Sequence, residues 1–210
     1  MMPVLFFESI SIPIPRKEIY RRLGFASGVT KISPSQKEEI ERHIQDAASI
    51  IQLKGAALRL PIKEIKGLKV TVADSLVFES QHLARFLRSC SEIVLMAATA
   101  GMGIIDAIET DIVGSSVTHG IVLDAAASEM VDASLDWIMN YFNRTLLREN
   151  RRLLRKRYSA GYGDLPLETQ KTMYRLLQLD RIGVQIMESY ILVPEKSVTA
   201  ITGIRQAGKE

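Results

Sequence analysis

The chain has a single cysteine, Cys90, in 210 residues. That excludes an intramolecular disulfide and any zinc or iron–sulfur site built on clustered cysteines. The lone thiol reads as a small apolar core side chain, and its reduced state suits the cytosol. The three histidines, His43, His82 and His119, stand far apart and lack metal-ligand spacing. No P-loop is present. The longest apolar stretch, Ile93 to Ile105, is too short to span a bilayer and is interrupted by Thr99, Gly101 and Gly103. The start alternates apolar and polar residues and lacks the basic opening of a signal peptide. Net charge is only +3, with an isoelectric point near 9.0, too weak a bias to argue for nucleic acid. A cytoplasmic, soluble protein with neither a nucleic-acid nor a membrane partner is expected.

The hydrophobic fraction of 47% and charged fraction of 24% are those of a globular domain. Val4 to Ile14 reads as an extended opening strand, followed by a short helix from Lys17 to Leu23 that Gly24 stops. Ser33-Pro34-Ser35 starts a stronger helix with Ile40, Ile44, Ala47, Ile51 and Leu53 on its apolar face, stopping near Gly55. Residues 57 to 78 read as two strands about a turn at Gly67. Ser80 opens a helix through Leu83, Phe86 and Leu87, Ile93 to Ala97 is a buried strand, and Gly101 to Glu109 is another helix. Ala100-Gly101-Met102-Gly103, after a buried strand, is a tight strand-to-helix turn or a phosphate-binding turn that lacks the full dinucleotide fingerprint. A long helix opens at Gly114 or Ser115 and passes Phe142. Pro166 to Leu177 is a further helix, and 185–193 with 197–204 form a closing strand pair. Without repeats or a linker, residues 1–210 read as one α+β domain. Within it, 1–32 is an N-terminal strand and helix segment.

Three features invite function. Val131, Leu135, Ile138 and Phe142 form the long helix's apolar stripe, and its backward extension meets Ile121 and Val117 but also Ser128 and Asp124. Those polar groups either line a cavity or mark a stripe that drifts around the helix. A run of Arg144, Arg148, Arg151, Arg152, Arg155, Lys156 and Arg157 holds Glu149 as its only acid. It is a solvated helix end, a docking face for an acidic partner, or a nucleic-acid patch without the usual interleaved aromatics. Then Arg157-Tyr158-Ser159-Ala160-Gly161-Tyr162-Gly163 combines a planar cation, a ring and two glycines. Such a loop can approach a ligand closely, clamp a carboxylate and face a heterocycle or cation.

This Arg-x-x-x-Gly-Tyr loop resembles that of the activation domain of B12-dependent methionine synthase. Asp164-Leu165-Pro166-Leu167, Arg181-Ile182-Gly183-Val184, Glu188 to Pro194 and Ser197-Val198-Thr199 follow in the family's order. Lys17 to Gly24, Ala98 to Gly101 and Gly114-Ser115 are similar to free-standing members. Met187, Leu192 and Ala200 depart from the pattern, and the family's N-terminal acid has no clear counterpart. The resemblance implies a mostly antiparallel or mixed sheet with a long helix and several shorter ones. It implies that 157–206 carries a loop for S-adenosylmethionine (AdoMet) and the closing strands. Arg157, Ser159, Gly161 and Tyr162 would bind AdoMet, with Glu129, or Asp132 if the register slips, as the acid of the long helix. Glu188 and Ser189 would brace the loop from an adjacent strand. The implied function is reactivation: AdoMet re-methylates cob(II)alamin presented by a separate methionine synthase polypeptide lacking its own activation domain. A flavodoxin-like protein would supply the electron. Such a chain is one component of a methyltransferase system rather than a complete enzyme. Two rivals are an activator of another corrinoid methyltransferase and an AdoMet-dependent methyltransferase with an unrelated acceptor. The latter usually shows a Gly-rich loop after a first strand.

Overall fold

The computed structural model describes residues 3–25, 30, 32–114 and 116–208. In chain order the elements are β1 (Leu5–Phe7), α1 (Arg16–Arg22), α2 (Pro34–Ile50), β2 (Lys54–Lys66), β3 (Lys69–Val72), β4 (Leu76–Glu79), α3 (Gln81–Leu87), β5 (Glu92–Thr99), α4 (Gly103–Val113), α5 (Val117–Leu146), β6 (Arg151–Leu153), α6 (Thr169–Leu177), β7 (Gln185–Ile186), β8 (Leu192–Val193) and β9 (Ser197–Gln206). The main sheet runs β4-β3-β2-β5-β9-β6, with β1 added to β2, and every pairing is antiparallel.

Helices cover both faces of this sheet, which explains why β5 reads as an unbroken apolar run. Val94, Met96 and Ala98 pack under α2, α4 and α5. The alternate residues Ile93, Leu95 and Ala97 pack under α3 and α6. The period-2 alternation of a strand thus serves two cores at once. The 30-residue helix α5 spans the first core and buries Leu135 and Ile138 completely. Full burial of such a side chain contributes about 1.5–3 kcal/mol. Gly55 lets α5 come close: a Cβ there would meet Ile138 Cδ1 and the Ala97 carbonyl, each at 2.9 Å.

Local chemistry sets several boundaries. Ser33 accepts from the Gln36 amide while the Gln36 side chain accepts from the Ser33 amide, a reciprocal cap that starts α2. Ser80 caps α3 through the Leu83 amide. Gly24, at φ +86°, ends the turn after α1 as expected.

Several expectations need correction. Only Leu5–Phe7 of the opening segment pairs as a strand. Helix α2 ends at Ile50, so Ile51 and Leu53 lie beyond it and Gly55 sits inside β2. Three strands, not two, occupy the region from 54 to 79. The long helix begins at Val117; Ser115 lies outside the described residues, as do parts of the 1–32 segment. The apolar stripe drifts: Val117 and Ile121 face solvent, and Val122, Ala126 and Met130 take over the core. Of the basic run only Arg144 sits at the helix end, because α5 stops at Leu146 and Arg151–Leu153 forms edge strand β6. Residues 185–193 do not pair with 197–204. They close on themselves as the β7–β8 hairpin, while β9 inserts between β5 and β6. Long-range pairing, invisible to local pattern, decided that point.

Candidate ligand site

The Arg157–Gly163 loop hangs from β9. Tyr158 and Ile201 exchange both backbone hydrogen bonds, at 2.8 and 2.7 Å. The loop then turns through Gly161 and Gly163, at φ +81° and +57°, a region costly for residues with a Cβ. The Gly161 amide donates to the Leu165 carbonyl at 2.9 Å, and the Tyr162 amide to the Ser159 carbonyl at 3.2 Å. The Gly161 amide, expected to serve a ligand, is therefore spent inside the loop. A Cβ on Gly163 would collide with the Tyr158 hydroxyl and lie 2.7 Å from His82 Nδ1.

Asp164 fastens the far end. Its carboxylate accepts from the amides of Gln81 (2.6 Å) and His82 (3.3 Å) and from the Ser80 hydroxyl. These are unsatisfied donors at the start of α3, so the loop is clamped onto a helix end. The Ser80 hydroxyl, then the Gln81 and His82 amides, hold the Asp164 carboxyl below its ordinary pKa.

The near end is fastened to α5. Arg157 donates from Nη2 to the Asp132 carboxylate at 2.7 Å and from Nη1 to Asp136. Desolvation works against the guanidinium charge, but the hydrogen bond and charge of Asp132, then those of Asp136, outweigh it and raise the Arg157 pKa. Asp124, Ser128, Asp132 and Asp136 follow at four-residue intervals, so they lie along one face of α5. Lys196, from the turn before β9, reaches Asp124 at 2.6 Å. Between these pairs opens a cavity of about 220 Å³, lined by Arg22, Ser128, Val131, Asp132, Lys196 and Ser197 among others. Asp124 and Ser128 are thus both paired or cavity-lining, while the stripe beyond them drifts outward.

Of the residues singled out in the sequence, Arg157, Ser159, Gly161 and Tyr162 share this loop, with the Tyr162 ring 72% exposed. Glu129 does not meet Arg157. It pairs with Arg22 of α1 at 2.7 Å, and Arg22 walls the same cavity. Asp132, the alternative register, is the acid that faces the loop. Glu188 and Ser189 are a second correction. They sit exposed at the tip of the β7–β8 hairpin, not in a strand. Neither side chain hydrogen-bonds the loop among the described residues. Gln170 braces this region instead, donating to the Tyr190 carbonyl at 2.7 Å and accepting from Thr199 at 3.1 Å. Sequence reasoning missed Asp136, Gln170 and Lys196; only the four-residue acidic spacing on α5 pointed toward Asp136.

Among the described residues no cluster of His, Cys, Asp and Glu is arranged to hold a metal ion, and no helix is long and apolar enough to cross a membrane. No family model and no curated protein sequence matches the chain. Its fold, however, is that of a solved structure described as the MetH reactivation domain bound to AdoHcy (S-adenosylhomocysteine). The two superpose with a TM-score of 0.69 over 100% of this chain and 80% of that one, at 14% sequence identity. At that identity the likeness establishes the α+β single-domain fold with its antiparallel sheet.

Proposed function

We propose that this protein binds AdoMet between the Arg157–Gly163 loop and α5. There it would support reductive methylation of cobalamin carried by a separate methionine synthase polypeptide. The observation that carries the proposal is the pairing of Arg157, at the root of a two-glycine loop, with Asp132 and Asp136 of α5, since Asp132 also lines the adjoining cavity. A fold shared with a domain solved with AdoHcy supports it.

The residues suit the ligand's charges. AdoMet carries one carboxylate and two cationic centres, an ammonium and a sulfonium. Arg157 offers the planar donor for the carboxylate. Asp132 and Asp136 outnumber it, and their side chains are 58% and 63% exposed, so they offer negative charge to the cations. Tyr162 presents a ring face to adenine or the sulfonium. Glu129 acts at one remove, holding Arg22 against the cavity. AdoMet would be the substrate that supplies the methyl group to the partner's cobalamin once a flavodoxin-like donor had provided the electron, and AdoHcy would leave. The protein's share would be orientation more than acid–base chemistry.

The test mixes this protein with a methionine synthase lacking its activation domain, loaded with cob(II)alamin, together with AdoMet and a reducing system. Methylcobalamin, followed by its absorption spectrum, should form only when this protein is present. Equal rates without it would refute the trans-activator role. Binding of AdoMet with no response from any corrinoid partner would favour an AdoMet-dependent methyltransferase with another acceptor.

A further inference from the structure

A second cavity, about 420 Å³, opens where the C-terminal end of α5 meets edge strand β6. Arg144, Arg151, Arg152 and Arg155 line it together with Asn140 and Asn143, and no carboxylate does. Arg151 is committed elsewhere, to Glu92, Glu149 and the Ser91 hydroxyl. Arg144, Arg152 and Arg155 have no ion pair among the described residues. Asn143 spends its carbonyl oxygen on the Leu153 amide at 3.0 Å, which leaves its NH₂ as donor.

The charge placement is costly on its own. The negative pole of α5 favours a cation in the last turn, which accounts for Arg144. It does not account for the arginines of β6 and the segment after it. Arg152 and its β9 partner Arg205 alternate with the core residues Leu153 and Ile204 and project from the other face of the sheet, so the unpaired side chains at this cavity are Arg144 and Arg155. A bound anion offsets these two unpaired cations. Every cation here is arginine, whose fork matches phosphate oxygens two at a time. Leu147, 73% exposed, adds apolar surface to the same wall.

We propose that this cavity binds a small phosphate-bearing anion, a pyrophosphate group on an organic moiety that rests against Leu147. The site is distinct in place and in charge from the AdoMet cavity, since its arginines repel a sulfonium. Calorimetric titration with ADP and with inorganic pyrophosphate tests it. Both should bind at one site per chain, with ADP the tighter. Arg144→Ala/Arg155→Ala, two exposed positions, should weaken both by at least roughly tenfold, with the thermal melt unchanged. Leu147→Ser should remove the advantage of ADP and leave pyrophosphate alone. AdoHcy binding should be the same in all variants. The proposal is overturned if neither probe binds at millimolar concentration. It is also overturned if Arg85→Ala/Arg88→Ala, exposed arginines at the C-terminal end of α3, weakens binding equally, or if only a DNA duplex or an acidic protein is retained.

Discussion

Arg157 grips one residue of α5 twice: its Nη2 lies 2.7 Å from the Asp132 carboxylate and 3.2 Å from the Asp132 carbonyl oxygen. A loop side chain that reads both the charge and the backbone of a core helix holds that loop in one place. It is therefore a positioning group for the loop as well as a candidate ligand contact.

Arg157→Ala should weaken AdoHcy binding by about 1.5–3 kcal/mol, the cost of a charge-assisted hydrogen bond. Arg157→Lys should recover little, because a point charge cannot span Asp132, Asp136 and a carboxylate together. Arg152→Ala should leave AdoHcy affinity unchanged. Calorimetry on the three variants decides it; equal losses at 152 and 157 would mean only diffuse charge is at work.

Two glycines with left-handed backbones separate strain from crowding. Gly24 (φ +86°) has nothing within 4 Å of an added Cβ, so Gly24→Ala should cost about 1–2 kcal/mol from backbone alone. Gly163→Ala meets the Tyr158 hydroxyl and His82 as well, so it should cost more. Urea midpoints read the difference, and a smaller cost at 163 would show that the loop is not packed as described.

Acid should loosen the clamp on α3. Asp164 has a folded pKa depressed by Ser80 and the amides of Gln81 and His82. Its contribution is therefore complete above the unfolded value of about 3.9 and is lost as pH falls through the folded value. Asp164→Asn should flatten this acid limb of the stability profile. An unchanged limb would assign acid sensitivity elsewhere, to Glu92 for example. Burial opposes the Glu92 charge, but Arg59 and Arg151 hold its pKa down.

Much of the fold was legible because it is written locally. The β5 run, the caps at Ser33 and Ser80, and the stop at Gly24 each depend on a few neighbouring residues. The place of β9 between β5 and β6 depends on pairing across about a hundred residues, and no local pattern carries it. Strand β6 is hidden inside a charge run. In the candidate site, the turn after Arg157 was legible from its two glycines. The acid opposite them was not settled, because Glu129 and Asp132 are one turn apart on a helix and share much of a face. Only the structure separates them, one turned to Arg22 and the other to Arg157.

The drift of the α5 stripe gives a matched pair of core tests. Ile138→Ala, at a fully buried position, should cost about 2–5 kcal/mol. Ile121→Ala, at a position 52% exposed, should cost under about 0.5 kcal/mol. Similar losses at both sites by chemical denaturation would contradict the burial pattern of the helix.

Titration of the wild-type protein with AdoMet and AdoHcy, read by calorimetry and by thermal melting, tests the proposed AdoMet binding most directly. Saturable binding at one site per chain is predicted, with ligand at about 100 times its dissociation constant stabilising the fold by roughly 2.7 kcal/mol. No heat and no shift in melting temperature at millimolar ligand would contradict it.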